Sequence, residues 1–246
     1  MKTRIFILAF LATGLGACSG QTNMPLNCNQ IINKTFDMAD FNAIEVSHAF
    51  EVEMIPSDKE SVELTIPADA EQYIEIRQEG SGLFIGMKTG YFFRFLNNDN
   101  ESCLKAYVYF KDLKKVTASE ASEINVKGVY DAQKQDLSIN LSGASSFEGN
   151  IVNVAHLKAV VSEASELDMK GNGNALDMNL SEASQAEMEN FSVKSFLGVV
   201  SSASKAELYV TDSFSGKAEG ASAIEVKGNP RVLKAEKSLS SSIKFE

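Results

Sequence analysis

Apolar and polar residues alternate in short stretches through the C-terminal half of the chain, and these stretches repeat. Counted from a central alanine, apolar residues stand seven, five and three positions before it and three and five positions after it. A spacing of two predicts strands. The spacing of three around the alanine would move the apolar residues to the other side of the strand unless the chain bends there. The pattern therefore predicts short strands separated by corners, with the small alanine as a buried anchor of each corner.

The corner motif is Ser-x-Ala-Ser or a close relative, and it recurs every 18 to 23 residues. A separate copy is centred on Ala49, and the series itself is centred on Ala121, Ala144, Ala164, Ala183, Ala203, Ala221 and Ser240. One such unit cannot bury its apolar side alone, whereas stacked units bury a continuous core. We predict an all-β fold, a parallel β-helix solenoid with rungs of about 20 residues, in which the motif serines stack and hydrogen-bond from rung to rung.

The segment between the separate copy and the series has a different character. Residues 62–66, 73–76 and 83–87 alternate as strands between turn residues, and residues 106–110 form a strand that leads back to the solenoid. Residues 55–112 are therefore predicted as an antiparallel β insertion that caps one end. The insertion and the repeats together make one domain, residues 36–246.

The N-terminus has the features of an export signal. Lys2 and Arg4 precede an apolar run, residues 5–15, which is too short to span a bilayer as a helix. The run ends in Leu15-Gly16-Ala17-Cys18, which resembles the lipobox of bacterial lipoproteins, and the alternative is an ordinary secretory signal. We predict a signal peptide over residues 1–17 with lipid attachment at Cys18, which anchors the chain to a membrane.

The residues after the lipid attachment site predict a tether and a location. Residues 18–35 are predicted as the tether between membrane and domain. An outer-membrane lipoprotein is expected, on the periplasmic face or the cell surface. The absence of acidic residues from residues 19–23 favours the periplasmic face, because acidic runs there resemble surface-export signals. Cys28 and Cys103 remain in the domain, either as a disulfide favoured by an oxidising envelope or as two free thiols.

Several stretches together resemble a known family. Residues 41–46, the Tyr107-Val108-Tyr109-Phe110 strand with residues 112–116 after it, and the Ser-Gly-Ala-Ser repeats resemble the putative auto-transporter adhesin, head GIN domain family, common in secreted Bacteroidetes proteins. The resemblance covers about residues 36 to 245 and implies a right-handed β-helix. Glutamate replaces the family's usual glycine before three anchors, at Glu120, Glu163 and Glu182, and this departure changes the corner surface.

Composition narrows the chemistry. A formal net charge of −10 argues against a nucleic-acid partner. The two histidines, His48 and His156, stand in no nucleophile motif, and the chain has no phosphate-binding loop or HExxH motif. We therefore expect no catalytic residues, no metal centre and no cofactor. A glycan-processing enzyme stays open only because other parallel β-helices act on polysaccharides.

Two features are candidate contact surfaces. Four residues after successive anchors stand five acids, which the register would align on an outer face: Glu148, Asp168, Glu187, Glu207 and Glu225. They predict either a cation or basic-partner stripe or a solvated acidic surface. An aromatic run follows residue 90, with Tyr91, Phe92, Phe93 and Phe95. These rings predict either a contact with a glycan or protein ligand or a cap on the solenoid.

The favoured function is a non-enzymatic, lipid-anchored binding module of the cell envelope, an adhesin by resemblance. The alternatives are a glycan-processing β-helix enzyme and a periplasmic structural scaffold. The sequence does not choose a ligand or an oligomeric state.

Overall fold

The computed structural model describes residues 27–89 and 103–246. These residues form seventeen strands: β1 (Ile31–Phe36), β2 (Ala43–Val46), β3 (Glu51–Pro56), β4 (Ser61–Pro67), β5 (Ile74–Glu79), β6 (Gly82–Met87), β7 (Lys105–Phe110), β8 (Lys115–Ala118), β9 (Glu123–Asp131), β10 (Leu137–Leu141), β11 (Ser146–Val161), β12 (Glu166–Leu180), β13 (Gln185–Val200), β14 (Lys205–Ala218), β15 (Ala223–Lys227), β16 (Arg231–Lys237) and β17 (Ser242–Phe245). The helical structure in these ranges is a single 3-10 turn, Glu71–Tyr73, so no helix there is long and apolar enough to cross a membrane.

The strands stack into a parallel solenoid with two faces. On the leading face, which comes before each corner, the order is β6, β2, β8, β10, the C-terminal parts of β11 to β14, and β16. On the trailing face, after each corner, the order is β7, β3, β9, the N-terminal parts of β11 to β14, β15 and β17. The predicted parallel β-helix with rungs of about 20 residues is confirmed.

The strands are longer than the sequence predicted in the middle of the solenoid. β11 to β14 run continuously for 14 to 16 residues, from the trailing face of one rung into the leading face of the next. Register shifts between the two parts let each strand bend around the body without ending. The core lies inside this coil, where one inward column contains Ile44, Val116, Ile139, Ala159 and Met178.

Seven corners, from His48–Ala49 to Gly220–Ala221, are made by two successive residues with left-handed backbone. In one rung these are Glu163 and Ala164, with φ of 57° and 59°. The Ala164 amide donates a hydrogen bond to the Glu182 carbonyl of the next rung at 2.9 Å. Both side chains of the pair are exposed and the following Ser165 is buried, so the prediction of a buried alanine anchor was wrong. The two left-handed residues carry the chain outward, and the serine is the residue that turns back inward.

The buried serines form a ladder along the solenoid. The amide of each serine donates to the hydroxyl of the serine one rung further on, at 3.2 to 3.3 Å, from Ser145 through Ser165, Ser184, Ser204 and Ser222 to Ser241. The hydroxyls of Ser122 and Ser145 in turn donate to carbonyls within their own corners, each at 2.7 Å. The predicted stacking of serines is therefore confirmed, and it satisfies backbone groups that have no water to bind.

The first coil of the stack is built out of chain order. The rung made by β2 and β3 lies between a rung made by β6 and β7 and the rung made by β8 and β9. Residues 55–112 were predicted as an antiparallel insertion, but β6 and β7 belong to the parallel stack. The apolar alternation of β6 is in phase with β2, so Leu83 pairs with Ile44 and Ile85 with Val46. Antiparallel pairing is found beyond this rung, where β5 joins β6 and β4 joins β7.

The segment before the solenoid is more ordered than a tether. β1 pairs antiparallel with β4, although most of it lies within residues 18–35. The tether prediction is wrong for this part because Ile32 and Phe36 pack against the core and the edge of β4 offers free backbone groups. Just before β1, Cys28 forms a disulfide with Cys103, with the two Cα atoms 5.7 Å apart.

Candidate functional site

The five acids predicted to align do stand side by side on the trailing face. The strand register pairs each with the next, from Glu148 to Asp168, Glu187, Glu207 and Glu225. Asp168 is buried, with 9% of its surface exposed, and the other four are partly exposed. The column therefore has the geometry expected of stacked strands about 4.8 Å apart.

Lysines from neighbouring positions pair with this column. Lys205 contacts both Glu207 and Glu225, the latter at 3.3 Å, and Lys244 lies 3.6 Å from Glu225. The hydrogen bond with Glu207 raises the pKa of Lys205, which keeps the ammonium charged. Lys170 lies 3.4 Å from Glu148. Across residues 27–89 and 103–246, no three His, Cys, Asp or Glu side chains are grouped so that they could hold a metal ion.

Two of the predicted sites lie outside the residues that the structure describes. Cys18 precedes the described residues, and Tyr91, Phe92, Phe93 and Phe95 fall in the gap between residues 89 and 103. The lipid attachment and the aromatic contact therefore stay predictions.

The first corner contains a hydrogen-bonded relay that the sequence analysis missed. Ser47 Oγ lies 2.5 Å from His48 Nδ1, and His48 Nε2 lies 3.1 Å from Glu120 Oε2 on the next rung. Ser47 is only 5% exposed, and a Cβ on Gly86 would lie 2.5 Å from its hydroxyl oxygen. The Ser47 hydroxyl is therefore buried, and the His48–Glu120 contact joins two rungs. Aligning the copy at Ala49 directly with the one at Ala121 would have brought His48 and Glu120 together.

The second histidine also pairs with a carboxylate of the next rung. His156 Nε2 lies 3.2 Å from Asp177 Oδ2, and both side chains are more than 40% exposed. An exposed ion pair of this kind contributes little to stability. The two histidines therefore differ: His48 contacts a hydroxyl that is buried, whereas His156 contacts an exposed carboxylate.

A shallow cleft of about 210 Å³ opens on the leading face at the out-of-order rung. Its floor contains Ala43 and Gly82, which are directly paired between β2 and β6. Arg77 from β5 lies over the Phe84 ring, with the guanidinium carbon 5.3 Å from the ring centroid. Lys115 from β8 lines the opposite side. This cleft could not be predicted from the sequence because its residues come from β2, from β8 and from the β5–β6 pair, which are far apart in the chain.

Arg77 is held in place by two carboxylates of its own strand. It lies 3.2 Å from Glu75 and is hydrogen-bonded to Glu79, and that hydrogen bond is the largest cause of the raised pKa of the guanidinium. A charged donor fixed in this way is preorganised for a ligand.

Solved structures of bacterial proteins share this fold. A putative adhesin from Bacteroides fragilis NCTC 9343 superposes with a TM-score of 0.80 at 14% sequence identity, covering 88% of this chain and 97% of the other. A putative lipid binding protein from Parabacteroides distasonis ATCC 8503 gives 0.73 at 16% identity, covering 92% and 100%. A putative adhesin from Parabacteroides merdae ATCC 43184 gives 0.64 at 16% identity, covering 88% and 96%.

The sequence itself also matches a family. A search of curated proteins finds no match for this sequence. Residues 40–230 match the family model described as putative auto-transporter adhesin, head GIN domain, which agrees with the resemblance of the corner repeats. Since the match spans more than half of the chain, the protein belongs to the putative auto-transporter adhesin, head GIN domain family.

Proposed function

We propose that the chain is an exported binding module of the cell envelope, held to a membrane by a lipid on Cys18 and without catalytic activity. Residues 1–17 are the signal peptide in this proposal. The solenoid presents its outer faces to a glycan or protein partner, and the location is the outer membrane. Membership of an adhesin family supports the binding role.

The observation that carries the proposal is the position of the disulfide. Cys28 lies between the lipid site and β1, and its bond ties that point to Cys103, two residues before β7. Without this disulfide, a force between the lipid and a bound partner would act first on β1 and separate it from β4, because strands near the end of the fold open at low free energy. The bond passes such a force directly into the solenoid. An oxidising compartment, in which disulfides persist, agrees with export.

The serines and histidines support a binding role over catalysis. The buried serine hydroxyls accept backbone hydrogen bonds in the ladder, and each histidine is paired with a carboxylate of the next rung. The ladder and the histidine pairs join neighbouring rungs, and the Ser47 hydroxyl beside His48 is buried, whereas a nucleophile needs a free hydroxyl beside a base and a space for substrate.

The lipid anchor is tested by metabolic labelling with an alkyne fatty acid. The chain should take up the label and partition with membranes, while a Cys18→Ala variant should be unlabelled and soluble. A wild-type chain that is exported without label would overturn the lipid anchor. The Cys28→Ser variant is the matched control, because it removes a cysteine and leaves Cys18 in place.

The membrane face is tested on intact cells with a membrane-impermeant biotin reagent, with a periplasmic protein as control. Labelling without lysis supports a surface binding module and justifies screening for partners outside the cell. Protection until lysis would overturn the adhesin role and favour a periplasmic scaffold.

A further inference from the structure

The cleft on the leading face exists because two small residues meet there. Ala43 and Gly82 are paired in register and stand in the same outward column as Lys115 and Ser138. Elsewhere the column carries longer side chains, whereas these two leave the sheet surface uncovered. Phe84, paired with Arg77 of β5, stands beside this bare floor.

Hydrogen-bond donors and acceptors both line the cleft. Lys115 and Arg77 are hydrogen-bond donors, Glu45 and Glu79 are acceptors, and Thr117 is both. Within the described parts of the chain, neither Lys115 nor Glu45 forms an ion pair, although the charge of Glu45 contributes to the raised pKa of Arg77. Two cations and two carboxylates give the lining a net charge of zero.

We propose that this cleft binds one uncharged sugar ring at the end of a glycan. The proposal rests on the binding role proposed above and names its site and ligand class. Sugar hydroxyls both donate and accept, so they satisfy a lining that offers charged donors and acceptors side by side. A balanced lining gives no advantage to an ionic ligand. The volume of about 210 Å³ is below the range typical of drug-sized ligands, which leaves room for one ring.

The fixed position of Arg77 supports recognition. Its ion pairs with Glu75 and Glu79 and its stacking on Phe84 hold the guanidinium before any ligand arrives. Little rotamer entropy is then lost on binding. Lys115 and Glu45 supply the groups that a sugar would newly satisfy.

The test is titration of the purified full chain with glucose, galactose, mannose, fucose and N-acetylglucosamine, followed by saturation-transfer NMR and calorimetry. Glucuronic acid is the charged comparison. Ala43→Phe fills the floor from an outward position and should weaken binding at least tenfold. Ser138→Phe is the matched control, because it adds the same ring to the same column two strands away and should leave binding unchanged.

A second variant keeps the test informative if Ala43→Phe misfolds. Lys115→Ala removes one donor from an exposed position and should weaken binding by about tenfold, the factor expected for one charge-assisted hydrogen bond. The proposal is overturned if none of the neutral sugars binds, if glucuronic acid binds better than all of them, or if Ala43→Phe and Ser138→Phe bind equally. The sugar titration does not depend on the membrane face or on the lipid. Failure of the sugar site can therefore be distinguished from failure of the proposed lipid anchor or location, which the labelling experiments test.

Discussion

Neighbouring residues of one corner should differ sharply in their tolerance of substitution. Ser165 is buried, with 1% of its surface exposed, and its hydroxyl accepts a hydrogen bond from the Ser145 amide at 3.2 Å. Ser162 opens the same corner and is partly exposed. Ala164 is exposed and has a left-handed backbone. We therefore predict that Ser165→Ala destabilises the solenoid, whereas Ser162→Ala and Ala164→Asp do not.

The magnitude follows from the amide that loses its acceptor. Ser165→Ala leaves the Ser145 N–H buried without a partner, which costs about 1–3 kcal/mol, and the lost hydroxyl leaves only a small void. A loss of about 2 kcal/mol would lower the melting temperature by about 4–8 °C for a domain of this size. Ser162→Ala should change stability by less than about 0.5 kcal/mol. Aspartate tolerates left-handed backbone, so Ala164→Asp should also stay within this limit.

Urea unfolding followed by circular dichroism gives the three stabilities, and amide hydrogen exchange gives the local effect. Exchange at the Ser145 amide should accelerate in Ser165→Ala and stay slow in Ser162→Ala. Equal stability of the two serine variants would refute the ladder as a stabilising element. Unfolding of Ala164→Asp would show instead that the alanine, and not the serine, faces the core.

Three further predictions concern other parts of the fold. Replacing Cys28 and Cys103 by serine should lower the free energy of unfolding by up to about 4.5 kcal/mol, because the bond closes a loop of 75 residues; an unchanged urea midpoint would contradict this. Gly171→Ala should cost more than 3 kcal/mol, since its Cβ would lie 1.9 Å from a backbone oxygen, whereas Gly128→Ala faces open space and should cost about 1–2 kcal/mol; thermal melts in the reverse order would contradict it. Burial raises the pKa of Tyr130 above 10.0, so its contribution to stability is present below pH 10 and is lost as the pH rises through the folded value. Urea midpoints measured between pH 9 and 11.5 should therefore fall more steeply for the wild type than for Tyr130→Phe, and parallel curves would contradict this.

The repeat carries most of the information about the fold. A residue at a fixed offset from the corner has the same environment in every rung, so one alternation pattern predicts all inward columns. The serine ladder and the acidic column follow from the same register, which is why both could be predicted from the sequence. The direction of the corner could not be predicted, because alternation alone does not say whether the Ala164 or the Ser165 side chain faces the core. That choice depends on two successive left-handed residues, and only Gly143 and Gly220 hint at them in the sequence.

The N-terminal part was predicted less well because its pairing is not local. β1 lies in a polar segment whose alternation is weak, and it is ordered by the edge of β4 and by the disulfide. β6 has the alternation of an antiparallel strand and makes such a pair with β5, yet its other edge pairs in parallel with β2. A sequence pattern specifies which side of a strand is buried, but it does not specify which neighbour takes each edge.

The same non-local pairing of β6 with β2 explains where the cleft lies. In the regular part of the solenoid, each outward residue has neighbours one repeat away, so each column is built from one offset of the repeat. At the out-of-order rung, Ala43 instead meets Gly82 on one side and Lys115 on the other, so residues from unrelated parts of the chain share one surface. Two small residues become adjacent there without weakening the core, because both face outward. A concave site can therefore form at this rung, where residues that are distant in the chain leave the sheet surface uncovered.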